Sequence, residues 1–174
     1  MLPFMINEAP HISSLILSQD NAQRLRFNIF YLIYTLPGIH FREIKRRMSM
    51  GTGHLLFHLN HLKKMGMIRI SNDGQYRRYY TSREIDNRDE RIIELSRRKN
   101  ISKILTMLVE KGTIQYSDLV GELNLSLSTV SFHLKKLLEN NIIVKYTMGR
   151  KSYYSLYDPL LIKDVVTKYN LVIF

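Results

Sequence analysis

The stretch Ser126–Leu156, SLSTVSFHLKKLLENNIIVKYTMGRKSYYSL, carries a helix, a stop and a hairpin in one run. Leu127, Val130, Leu134 and Leu137 recur at helical spacing, and Ser126 stands where an N-cap belongs. The helix is therefore expected from Leu127 to Glu139, with Asn140-Asn141 as its stop. Ile142 to Tyr146 is rich in β-branched and aromatic residues and predicts a strand. Met148-Gly149-Arg150-Lys151 turns the chain, and Ser152 to Leu156 returns as a second strand.

Two further helices precede this run. Ile101, Leu105, Leu108 and Val109 mark one that ends at Lys111-Gly112. Tyr116, Leu119, Val120 and Leu123 mark a short one, and Asn124-Leu125-Ser126 forms the turn between it and the third helix.

The triplet Phe-His-Leu at 132–134 also occurs at 57–59, an offset of 75 residues. At that offset Ile29 meets Ile104, Ile39 meets Ile114, Leu62 meets Leu137, Ile68 meets Ile143, Gly74 meets Gly149 and Tyr79 meets Tyr154. Average residue usage would give about three identities in such a window, and the triplet plus these pairs give nine without a gap. Conservative pairs such as Phe41 with Tyr116 and Leu55 with Val130 extend the match. The period is too long for a solenoid and indicates two duplicated domains. The first unit accordingly predicts helices near 21–36, 41–48 and 52–65 and strands near 67–71 and 76–81, with a hairpin signal at Asn72-Asp73-Gly74. Its helix starts are weaker: Gly51 replaces Ser126, and His40 replaces Gln115.

Helix, helix, turn, helix and two-stranded hairpin is the order of a winged helix-turn-helix. Its third helix is the element that enters the major groove in this mode of binding. The fold class is thus mainly α with small β-wings, as two tandem winged helix-turn-helix domains. The expected divisions are 1–82 with an N-terminal extension, a charged connector at 83–100, and 101–174 with a C-terminal helix.

Composition agrees. The chain has 174 residues and a net charge of +11, with a pI near 9.9. Residues 1–82 carry 11 basic and 4 acidic groups, and the remainder 15 and 11, so both units are basic. A basic globular protein generally meets a polyanion, and nucleic acid is the first expectation from charge. With a helix of the major-groove type, the expected partner is double-stranded DNA. The absence of cysteine excludes disulfides, thiolate metal sites and a cysteine nucleophile. No apolar run approaches the ~20 residues of a membrane helix, and the start of the chain lacks a signal-peptide pattern, so a cytoplasmic location without membrane contact is expected.

The run Ser126–Leu156 resembles the recognition helix and wing of ArsR-type and MarR-type winged-helix regulators, and its Ser-Thr-Val-Ser-x-His-Leu-x-x-Leu core is closest to the ArsR type. Two such units in one short chain resemble the archaeal transcriptional regulators with two winged helix-turn-helix domains, over roughly 24–158. The resemblance implies a DNA-binding regulator. The first unit departs from the pattern, with Gly51, Gly53, His54 and Leu56 where the second has Ser126, Ser128, Thr129 and Ser131. The metal-sensing cysteines of the ArsR type are also missing.

On a helical wheel, Val130, Leu134 and Leu137 share the core face with Leu127 beside them, and His133 sits on its border. Ser128, Phe132 and Lys135 face outward, with Thr129, Ser131 and Lys136 on the flanks. Hydroxyls and lysines suit base-edge and phosphate contact, and an outward Phe can meet a thymine methyl. The equivalent face of the first unit holds His54, Phe57, Asn60, His61 and Lys64. Arg77 and Arg78 in the first wing, and Arg150 and Lys151 in the second, are candidates for the phosphate backbone. With Ser126, these residues make up the expected DNA-binding set.

The spacing of His54, His58 and His61 raises a metal reading, but the repeat accounts for His58 through His133, and no metal or other cofactor is expected. There is no Gly-rich phosphate loop, and Asp118/Glu122 is an ordinary helix-surface pair, so no enzyme is expected. Residues 83–100, dense in both charges with Ile85, Ile92, Ile93 and Leu95 interspersed, predict a helical connector, with continuity into the next helix as one form. Leu160, Leu161, Val165 and Val166 give the last helix an apolar stripe after Pro159. The apolar ends, MLPFM and SLIL at the start and Leu171-Val172-Ile173-Phe174 at the finish, favour burial against another unit or another subunit. A homodimer is expected, with a monomeric pseudo-dimer as the competing account. The alternative function is a winged-helix protein-interaction module of a transcription or chromosome-organising complex.

Overall fold

The computed structural model describes residues 21–72, 74, 76–169 and 171. The chain divides into two units, Met1–Glu84 and Ile85–Phe174. In the first, α1 (Asn21–Thr35) leads through β1 (Ile39–His40) into α2 (Phe41–Met48) and α3 (Thr52–Lys64), followed by β2 (Ile68–Asn72) and β3 (Arg77–Thr81). The second opens with α4 (Asn87–Ser96) and then repeats the order as α5 (Lys99–Lys111), β4 (Thr113–Gln115), α6 (Tyr116–Leu123), α7 (Leu127–Glu139), β5 (Ile143–Met148), β6 (Lys151–Leu156) and α8 (Pro159–Lys168).

The duplication extends to backbone geometry. Left-handed residues recur at the same offset: Ser49 and Asn124 in the turn before the third helix, Gly66 and Asn141 after it, Gly74 and Gly149 in the wing. Both sheets are three-stranded and antiparallel, in the orders β1-β3-β2 and β4-β6-β5. Their registers match as well, with Ile39 opposite Tyr79 and Ile114 opposite Tyr154. The short first strands were not anticipated, because two or three residues after a turn carry no period. Their signal was the repeated isoleucine at 39 and 114.

The core of the first unit gathers Ile29, Phe30 and Ile33 of α1, Ile44 of α2, Leu55, Leu59 and Leu62 of α3, and Ile68 and Tyr79 of the sheet. In the second unit Ile104, Ile114, Leu119, Val130, Leu134, Leu137, Ile143 and Tyr154 are buried. Leu127 departs from expectation: it is 62% exposed, since the first turn of α7 projects beyond the core that holds Val130.

The segment expected as a helical connector holds α4. In α4, Ile92, Ile93 and Leu95 are buried, and the helix packs against α5 and α8 inside the second unit. It is not continuous with α5, because Arg98 takes extended backbone as the N-cap of that helix. Asp86 caps α4 by accepting from the Arg88 amide. Asp89, nearly fully buried, accepts from Lys168 Nζ and from the Tyr169 hydroxyl, both at 2.9 Å, and so ties α4 to the end of α8.

In α8 the buried residues are Ile162 and Val165, joined by Tyr169, while Leu160 is 78% exposed rather than part of the apolar stripe. Leu171 is buried. The N-terminal MLPFM and SLIL segments, Asp73 of the hairpin signal, and Val172 to Phe174 lie outside the described residues.

Candidate nucleic-acid interface

In the second unit the turn between α6 and α7 is built by Asn124 in left-handed backbone and Ser126 as N-cap. Ser126 Oγ accepts from the Thr129 amide at 3.2 Å and lies 3.0 Å from Ser128 Oγ and 2.7 Å from Thr129 Oγ1. The cap thus satisfies a first-turn donor and gathers three hydroxyls at the positive end of the helix dipole, where anions are favoured. Outward from this turn, Ser128, Ser131, Phe132 and Lys135 are exposed, with Thr129 and Lys136 half-buried at the flanks. Phe132 keeps 53% of its surface in solvent. Lys136 Nζ lies 4.8 Å from its ring centroid, a cation–π contact that holds ring and charge on one side.

Behind that face His133 is half-buried, and its Nε2 lies 3.3 Å from Asn100 Nδ2 at the start of α5. Burial, then the charges of Arg98 and Lys136, push its pKa below the ordinary imidazole value. It ties the helix to its neighbour. The wing beside it exposes Lys145, Met148, Gly149, Arg150 and Lys151, and Gly149 takes the positive φ of 61° that the turn requires. Tyr146 stacks on Tyr153 with centroids 5.6 Å apart.

The first unit presents different chemistry on the same frame. Gly51 caps α3 without a side-chain bond, whereas α2 is capped by His40, whose Nδ1 accepts from the Glu43 amide at 3.2 Å. His54, Phe57, Asn60 and Lys64 are exposed as expected from the wheel, and His61 is half-buried. Phe57 is 63% and Leu56 38% exposed. His58 is not at the border but in the core, 2% exposed, and among the described residues neither ring nitrogen has a hydrogen-bond partner. Burial, then the charges of His54, Arg26 and His61, push its pKa down. Among the described residues no three potential metal ligands converge.

Arg78 does not reach the surface. It is 1% exposed and donates to the Gly38 carbonyl at 3.0 Å, with its guanidinium 5.5 Å from the Tyr76 ring centroid. The reason is topological. β3 is the central strand, so Arg78 lies between His40 and Ser71, while Arg77 opposite Asn72 is exposed. At the repeat offset, Arg150 and Lys151 of the second wing tip correspond to Gln75 and Tyr76, not to Arg77 and Arg78. The first wing therefore lacks the second wing's pair of basic residues at its tip. On α2, Glu43 binds Arg46 and Arg47 at 2.8 and 2.6 Å, and these bonds hold its carboxyl at a pKa of about 2.

Three exposed residues, Leu127 of α7 and Lys145 and Met148 of the wing, were not in the expected set, and neither was Tyr116, which is half-buried with its hydroxyl beside Ser131. For Tyr116 a signal was present, the exchange of Phe41 for Tyr116 across the repeat; for Leu127, helical periodicity pointed the wrong way.

Comparison with known proteins accords with this geometry. Residues 23–93 match a family described as an N-terminal HTH domain, and residues 97–144 match winged helix-turn-helix DNA-binding domains. An uncharacterised HTH-type transcriptional regulator of Methanocaldococcus jannaschii is 26% identical over 136 residues, covering 78% of this chain and 34% of that protein. The chain therefore spans about a third of that relative's length. Among solved structures, HlyU from Vibrio cholerae is 18% identical with a TM-score of 0.43, over 49% of this chain and 99% of HlyU. The antimony-specific transcriptional repressor AntR is 19% identical with a TM-score of 0.40, over 46% of this chain and 72% of AntR. The chain is built of two winged helix-turn-helix domains in tandem, and it is similar in sequence to an archaeal HTH-type transcriptional regulator.

Proposed function

We propose that this protein is a cytoplasmic DNA-binding transcriptional regulator, a binding protein and not an enzyme, that reads duplex DNA chiefly through its second unit. The observation that carries the reading is the capped, hydroxyl-rich and lysine-bearing outer face of α7 beside a wing tipped by Arg150 and Lys151. In this reading the helix meets base edges and the wing meets phosphates. Arg77 and Lys64 of the first unit add phosphate contacts. Among the described residues no helix is long and apolar enough to cross a membrane.

The test is duplex binding as a function of salt. Each neutralised phosphate contributes a slope of about −0.9 in log K against log salt. Arg150→Ala with Lys151→Ala should flatten the slope by about 2 and weaken specific and random duplexes alike. An unchanged slope would remove the wing from the mechanism.

A homodimer is part of the same proposal: Tyr157 is 61% and Leu160 78% exposed around the start of α8, apolar surface that a second subunit would cover. Light scattering of the purified chain measures this directly. A second reading is favoured by one observation, the exposed Leu56 and Phe57 on α3, which suit a protein partner better than a phosphate backbone. Absence of duplex binding at low salt would support that reading, an interaction module, over the first.

A further inference from the structure

The hydroxyl of Tyr116, the first residue of α6, lies 2.8 Å from Ser131 Oγ and 3.1 Å from the Leu127 carbonyl oxygen. A phenol has one proton, so it cannot donate fully to both. The two contacts are satisfied together when Tyr116 donates to the Leu127 carbonyl and Ser131 donates to the Tyr116 oxygen. Ser131 has then used its only proton. What it presents to solvent on the exposed face of α7 is acceptor lone pairs alone.

This matters because an unconstrained serine hydroxyl is ambivalent at a base edge: it rotates to donate or to accept. We propose that Tyr116 fixes Ser131 as an acceptor and so makes this position selective for an amino-bearing base edge. The partners would be adenine N6 or cytosine N4 on the contacted strand, with guanine O6 and thymine O4 disfavoured. Tyr116 is in this sense a positioning residue, acting through Ser131. The inference rests on the reading that α7 enters the major groove.

The internal repeat supplies an independent observation. At the same offset Phe41 replaces Tyr116 and Leu56 replaces Ser131. Both hydroxyls of the pair are absent together from the first unit, while the aromatic ring is kept. Phe41 packs against the core of its unit, so the ring alone meets the structural need. The phenolic oxygen accompanies the serine.

The experiment uses the full chain. A preferred duplex is selected from a randomised pool, and affinities are then measured on duplexes carrying each of the four base pairs at every position of the site. The wild type should show one position where adenine or cytosine is bound about five- to tenfold more tightly than guanine or thymine, the range of one well-placed hydrogen bond. Ser131→Ala should abolish the preference at that position only. Tyr116→Phe should reduce it to less than about twofold, leaving random-duplex affinity and the other positions unchanged, with only a small fall in melting temperature because the ring remains. A Tyr116→Phe protein that keeps the preference overturns the proposal, as does a Ser131-dependent position that favours guanine or thymine. A wild type with no preferred sequence at all overturns the underlying reading of α7, and that result is visible before any variant is made.

Discussion

The third helices of the two units share a frame and differ in almost everything that frame presents. Leu55, Leu59 and Leu62 of α3 and Val130, Leu134 and Leu137 of α7 are buried at equivalent positions. Outside, α7 begins with a serine cap and a cluster of hydroxyls, whereas α3 begins with Gly51 and Gly53 and continues into exposed Leu56 and Phe57. Packing retains three aliphatic positions because a core of fixed shape accepts few alternatives. The outer face is free of that demand, so its divergence reports on use. The difference between the helices is the ground on which base reading is proposed for the second unit.

The comparison breaks first if the two frames are unequal. Leu59 and Leu134 are 2% and 1% exposed, and truncation of either to alanine should cost about 2–5 kcal/mol through lost burial and a residual cavity. Amide hydrogen exchange of α3 and α7 would measure the loss in each unit separately. Similar losses uphold the structural equivalence of the repeat; a negligible loss in either unit would show a helix that is not part of a close-packed core.

The two histidines of the repeated triplet sharpen it next. His133 bonds Asn100, whereas among the described residues neither His58 nitrogen has a partner. His133→Leu removes that bond and should cost about 0.5–1.5 kcal/mol at pH 7, while His58→Leu removes none and should be neutral or stabilising. pH adds a second arm. Both imidazoles have a folded pKa below the ordinary 6.5, chiefly because burial disfavours the charged form. Below pH 6.5 the unfolded chain binds the proton more readily, so stability is full above that value and is lost as pH falls toward the folded pKa. For His58 the neighbouring charges of Arg26, His54 and His61 act in the same direction. Urea unfolding between pH 7 and 5 should show this loss in the wild type and a shallower one in His58→Leu. An identical slope in both would place the titration elsewhere.

Most of the fold was legible because helices long enough to show a period were written twice. The offset aligned α2 with α6 and α3 with α7, and their observed bounds lie within a residue of those expected. What sequence did not show depends on tertiary placement. Arg78 reads as a basic wing residue, yet its position on a central strand buries it against Gly38. Leu127 fits the apolar period, yet it stands one turn beyond the core. The charged run at 83–100 conceals a buried stripe of Ile92, Ile93 and Leu95, and no local pattern states which unit will cover it. The outward Phe57 and Phe132 were read correctly because a wheel needs only the helix and its core side. Tyr116 was missed because a hydrogen bond between two helices leaves no period in either.

The smallest effect addresses the helix starts themselves. Gly51 and Ser126 have nearly the same backbone, with φ and ψ of −67° and 151° against −63° and 149°. Among the described residues a Cβ added at Gly51 or at Gly53 would meet nothing within 4 Å. Gly53→Ala should therefore stabilise α3 by about 0.5–1 kcal/mol, by reducing the freedom of the unfolded chain. Gly51→Ser should add only a few tenths of a kcal/mol, because glycine is itself a tolerable cap. The expected readout for Gly51→Ser is slower exchange of the first-turn amides of α3, with duplex affinity unchanged. A rise in sequence-specific binding on restoring the serine would contradict the division of labour, since it would mean that α3 lacked only its cap to read DNA. No rise would mean that the residues further along the face, His54, Leu56 and Phe57, set what the first unit can bind.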